Sequence, residues 1–142
     1  MKSKSIGAVA LLFLMTSAEL VLAQDMASQL IGVWRQTSIV RKYVETDEMV
    51  NRQGPGGVTM FVRGGFFAHR NGPAQFFGSG TYKAESDVVI LHYQVSSDAT
   101  WIGQERRATM KIVDNVLTWT SDRFKDFEGK DYNLVLTLER ME

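Results

Sequence analysis

The sequence predicts an all-β fold: an eight-stranded antiparallel up-and-down barrel behind a short N-terminal helical turn. Three observations carry this. Helical periodicity stops at about Ile31, and from there the chain consists of short runs of β-branched and aromatic residues alternating with polar ones. Those runs are punctuated by Gly, Asn and Asp at tight-turn positions. Eight strands joined mostly by short links would leave two bare edges, which closure into a barrel removes.

Before the fold comes MKSKSIGAVALLFLMTSAELVLA, residues 1–23. Lys2 and Lys4, an apolar run from Ile6 to Met15 and a Val21-Leu22-Ala23 ending read as a secretory signal peptide, its core too short for a stable span. Cleavage is expected after Ala23, with Ala18 the alternative, leaving 24–142 as a single barrel domain. The chain has no cysteine, so neither lipidation at a cleavage-site cysteine nor a disulfide is available. The expected location is periplasmic or secreted, with no membrane anchor after cleavage. Sixteen basic and sixteen acidic side chains balance, and no basic run offers a footprint for nucleic acid.

Strands are expected at 33–44, 57–63, 66–70, 78–84, 88–95, 104–113, 116–122 and 132–140. Gly64-Gly65, Glu85-Ser86-Asp87 and Asp114-Asn115 supply the tight turns. Longer loops fall at 45–56, 71–77, 96–103 and 123–131. Period-two alternation then assigns faces. Trp34, Gln36, Ser38 and Val40 point inward; Arg35, Thr37, Ile39 and Arg41 point outward. Gln104, Arg106, Ala108, Met110 and Ile112 point inward, as do Leu117, Trp119 and Ser121. In the last strand Leu134, Leu136 and Leu138 are inside, and Arg140 lies in line with them. A filled apolar core would not choose Gln36, Ser38, Gln104, Arg106 and Ser121.

A Gly-x-Trp opening the first strand (Gly32, Trp34) and an arginine closing the last (Arg140) resemble the lipocalin pattern. The ordered blocks "LIGVWRQTS", "GPGGVTMFVRGGFF", "GSGTYKAESDVVILHYQVSS", "ATWIGQERRATMKIVDNVLTW" and "LVLTLER" are similar to the bacterial lipocalin-like domain family. The resemblance implies a lipocalin-like barrel in which Trp34 plugs the closed end and Arg140 packs across it. It implies a fold more than an activity, since most members of that family have no assigned function.

A barrel of this size either fills its lumen or holds one small ligand. The first reading is a protein that binds a small, partly apolar molecule, with a carboxylate or phenol facing Arg106. The binding candidates are Gln36, Ser38, Tyr82, His92, Trp101, Gln104, Arg106 and Trp119. The alternative is an enzyme in the same barrel (an isomerase, cyclase or hydratase) with His92 as general base and Arg106 stabilising negative charge. His69, beside a loop, is a second candidate base. A third class, a protein-binding or protease-inhibiting barrel, would use loops 51–57 and 71–78. In a fourth, the barrel is simply filled and Arg106 reaches solvent. Two histidines without cysteine or an H-x-x-x-H spacing argue against zinc, and the glycine clusters introduce no helix that could cradle phosphate. No cofactor and no metal are expected. Oligomeric state is not legible.

Overall fold

The computed structural model describes residues 26–53, 56–71, 76–125 and 128–142. The signal-peptide reading of 1–23 lies outside them, as do parts of both loops assigned to protein binding. Among the described residues no helix is long and apolar enough to cross a membrane.

A helical turn at 26–30 leads into nine strands. These are β1 (Gly32–Tyr43), β2 (Met49–Gln53), β3 (Val58–Val62), β4 (Phe66–Arg70), β5 (Phe77–Glu85), β6 (Val88–Ser96), β7 (Glu105–Val113), β8 (Val116–Lys125) and β9 (Asp131–Arg140). From β3 onward each strand pairs antiparallel with the next in the chain. β1 pairs with β2, β3 and β9, and the last of these pairings closes the barrel. The added strand, β2, falls within the expected 45–56 loop. It pairs with the far half of β1, Ser38 to Lys42, while β3 pairs with the near half, Gly32 to Arg35. The two together fill one position in the wall, so the barrel has eight.

Tight turns gather at one end. Ser86 and Asp114 take positive φ there, as do Gly64 and Gly65. That end is sealed by Trp34, fully buried, whose indole Nε1 donates to the Leu30 carbonyl at 2.8 Å. Arg140, register partner of Trp34, lies over the ring with Cζ 4.2 Å from its centroid. Its guanidinium donates to the Ile31 carbonyl at 2.7 Å and the Gln29 carbonyl at 2.6 Å, so one cation caps the helical turn and covers the plug. Above the plug, Phe61, Leu91, Met110, Leu117 and Leu138 are almost wholly buried and fill the lower barrel.

The wall is not regular, and its irregularities decide which side chains enter the upper lumen. Gln36 pairs with Leu138 but Ser38 with Thr137, leaving Thr37 as an extra residue in a β-bulge. Thr37 Oγ1 donates to the Thr137 carbonyl at 3.2 Å. The bulge sits where β1 changes partner from β3 to β2, and Gln36 there exchanges backbone hydrogen bonds with Gly56 and Gly57. Beyond it the parity is reversed. Ile39 and Arg41 line the lumen, and Ser38 and Val40 face outward, opposite to the period-two expectation. A similar irregularity lies between Ser121 and Phe124, with Arg123 at φ 62°, and it turns Phe124 inward.

Candidate ligand-binding site

The upper lumen is a cavity of about 420 Å³. Gln36, Thr59 and Ser121 bring its polar groups and are buried. Its aromatic lining is Phe76, Tyr93, Trp101, Trp119, Phe124 and Tyr132, with Ile39, Leu134 and Leu136 completing the apolar surface. Trp119 Nε1 donates to Ser121 Oγ at 2.7 Å, which satisfies the indole inside the barrel.

Two arginines bring the charge. Arg106, second residue of β7, lies with Cζ 4.5 Å from the Trp101 ring centroid and 5.4 Å from that of Phe124. Its Nε is covered and has no hydrogen-bond partner. Arg41 lies over Tyr132 at 5.0 Å. Among the described residues neither forms an ion pair. The acidic side chain lining the cavity, Asp98, is engaged at the N-terminus of the 3₁₀ turn Ala99–Trp101, where it accepts from Thr100 N at 3.0 Å and Thr100 Oγ1 at 2.7 Å. Those two bonds hold its carboxyl below the ordinary value, so it stays an anion engaged with its own turn.

His69, on β4 opposite Thr59 and Gly78, also lines the cavity. It is ringed by Phe67, Phe76, Tyr93 and Trp119 with centroids 5.2–6.4 Å away. Burial among these rings lowers its pKa from 6.5 to about 4, so near neutral pH it is an uncharged imidazole. Its Nε2 has no hydrogen-bond partner. Burial also pushes the Tyr93 phenol above its ordinary value, with Arg106 pulling weakly the other way.

Of the residues expected from sequence, Gln36, Trp101, Arg106 and Trp119 meet in this cavity. Four do not. His92 lies on the outer wall, because Leu91 and Tyr93 on either side of it are buried in the lumen; it pairs with Thr81 and Glu105. That removes His92 as a general base for the enzyme reading and leaves the second candidate, His69, as the histidine that lines the cavity. Ser38 is turned out by the Thr37 bulge. Gln104 precedes β7, exposed, and contributes only backbone, accepting from Tyr93 N and donating to the Trp101 carbonyl. Tyr82 sits below the cavity, edge-on to Phe61 at 5.0 Å. Alternation alone does not find Arg41 and Phe124, both re-aimed by wall irregularities. Nor does it single out His69 for the lumen, although the face it shares with Phe67 in "FFAHR" is a usable signal. Gly32, Trp34 and Arg140 lie together at the closed end. Among the described residues no group of three or more His, Asp or Glu could hold a metal ion.

No protein-family model matches the chain, and no curated protein matches it. Solved structures do share its fold. One is an uncharacterized protein from Bacteroides eggerthii DSM 20697, 12% identical with a TM-score of 0.50, covering 79% of this chain and 99% of that one. Another is a lipocalin-like protein from Bacteroides uniformis ATCC 8492, 13% identical with a TM-score of 0.50, covering 79% and 98%. At such identities the likeness speaks to the fold.

Proposed function

Starting from a lipocalin-like barrel, we propose that this protein binds a small, partly apolar anion in its upper lumen and works outside the cytoplasm, in the periplasm or the medium. The observation that carries the binding reading is Arg106. Its guanidinium lies against the Trp101 and Phe124 rings inside a cavity, without an ion pair among the described residues and with a covered, unpartnered Nε. An arginine so placed is costly to bury unless an anion joins it. The rings of Trp101, Tyr93 and Trp119 supply apolar contact for the rest of such a molecule. The export half of the reading rests on the pattern of residues 1–23.

Calorimetric titration with 2-naphthoate, beside its uncharged relative 2-acetylnaphthalene, tests the binding reading. The expected result is 1:1 binding of the acid, weakened by about tenfold or more in Arg106→Ala, the scale of one lost charge-assisted contact. Binding of the neutral compound should change little. Absence of naphthoate binding, or equal loss of both compounds, overturns it. Mass analysis of the extracytoplasmic fraction tests export, with a mature start at or near Gln24 expected and an intact Met1 contradicting it.

A further inference from the structure

Arg106 is one end of a longer arrangement. The Trp101 and Phe124 rings are stacked at 6.1 Å and 27°, and Phe124 and Tyr132 at 5.7 Å and 23°. Three rings from the 3₁₀ turn, β8 and β9 therefore form one ladder along the cavity. Guanidinium groups flank it: Arg106 lies against both Trp101 and Phe124, and Arg41 lies over Tyr132. Both arginines line the same cavity, and neither has an ion pair among the described residues. Asp98, the one acidic group in the described lining, is exposed and bonded to Thr100, so its charge stays in solvent. Asp47, in the turn after β1, is taken up by Lys42 at 3.0 Å. Two positive charges thus line one concave, aromatic site, and the acidic side chain among its described lining residues, Asp98, is exposed to solvent. Arg41 enters this site only because of the bulge at Thr37, and such bulges commonly serve to re-aim a side chain.

We propose that the ligand is a flat dianion, a molecule with two acidic groups on or near an aromatic or conjugated body, spanning Arg106 and Arg41 with its body against the ring ladder. This rests on the anion-binding reading above and narrows it. A singly charged ligand would leave one guanidinium uncompensated in a confined site, whereas a dianion neutralises both. Arginine's planar fork suits carboxylate, phosphate or sulfate groups alike. The proposal therefore fixes charge number and shape, and the acid type is left to comparison among probes.

The test compares naphthalene-2,6-dicarboxylate with 2-naphthoate by calorimetry at low ionic strength. The wild-type protein is expected to bind the dicarboxylate about tenfold or more tightly than the monoacid. Arg41→Ala should erase that difference, weakening the dicarboxylate by about tenfold and 2-naphthoate much less. Arg106→Ala should weaken both. Circular dichroism of each variant checks that the barrel is intact, and Arg41→Gln, which removes the charge but keeps most of the side chain, should behave as Arg41→Ala does. If 2-naphthoate binds but the dicarboxylate binds no more tightly, or if Arg41→Ala weakens both equally, the dianion inference is overturned and the anion-binding reading survives. If neither compound binds, both fall.

Discussion

The Arg140 guanidinium lies 4.2 Å over the Trp34 ring while hydrogen-bonding the carbonyls of Gln29 and Ile31. The first and last strands and the helical turn are thereby fastened by one side chain. Gly32 is part of the same joint. It has φ 142°, and a Cβ there would stand 2.6 Å from Arg140 Nη1. Arg140→Ala should cost roughly 2–3 kcal/mol, combining the cation–π attraction with two partly exposed charge-assisted hydrogen bonds. Gly32→Ala should also destabilise, since the backbone strain remains even if the guanidinium moves. Denaturant melts of both variants, with tryptophan fluorescence as probe, check this; an unchanged midpoint in Arg140→Ala would show the joint to be idle.

His69 makes the barrel acid-sensitive. Its pKa is lowered from 6.5 to about 4 in the fold. Above pH 6.5 both folded and unfolded chains hold it neutral, and its contribution to stability is complete. Between pH 6.5 and 4 the unfolded chain takes up a proton that the folded one refuses, so stability falls with falling pH; below about 4 the loss is complete. A shift of this size corresponds to roughly 3 kcal/mol as an upper figure, at about 1.4 kcal/mol per pH unit. Unfolding free energies measured from pH 7 to 4 should show this decline, and His69→Phe should flatten it. An equally steep decline in the variant would assign it to other groups.

The reversed parity after Thr37 can be probed chemically, because the chain has no native cysteine. Ile39→Cys and Val40→Cys each introduce a single thiol, on the lumen and outer faces respectively. Saturating 2-naphthoate should slow maleimide labelling of Ile39→Cys and leave Val40→Cys unaffected. Protection of position 40 instead would mean that the strand runs in unbroken alternation.

Gly78 keeps the space beside the cavity. A Cβ there would stand 2.6 Å from Tyr93 Cε1 and 3.1 Å from His69 Nε2. Gly78→Ala should push the Tyr93 ring toward the cavity, costing roughly 1–3 kcal/mol as an overpacking substitution and weakening 2-naphthoate binding. Thermal melts and calorimetry measure both; a variant as stable and as tight-binding as wild type would show that the ring moves freely.

Where the alternation runs unbroken, the sequence suffices to place side chains. In β7, β9 and the first half of β1 and β8, Arg106, Leu138, Trp34, Gln36 and Trp119 occupy the faces that period two assigns. Alternation fails where the wall is irregular. Nothing in "RQTSIV" marks Thr37 as an inserted residue: it is neither glycine nor proline, and the bulge arises from β1 changing neighbours between β3 and β2, a relation between distant segments. Phe124 is hidden similarly, by the irregularity around Asp122 and Arg123. His92 is a different case. Its inner neighbours Leu91 and Tyr93 are legible as the apolar face, and an inward His92 follows only from favouring a chemically active residue over that pattern. The cavity's charge pattern, two arginines against one exposed acid among the described lining residues, emerges only once the bulge has placed Arg41.

The central claim is that Arg106 anchors an anion inside the barrel, and its own side chain reports on this most directly. In ¹⁵N-correlated spectra the covered Nε–H of Arg106 gives a resonance identified by its loss in Arg106→Lys. On titration with 2-naphthoate this signal is expected to shift along the same saturation curve as the Trp101 and Trp119 indole signals, while the Arg140 Nε–H at the closed end stays in place. Saturable naphthoate binding that leaves the Arg106 resonance unmoved would contradict the account.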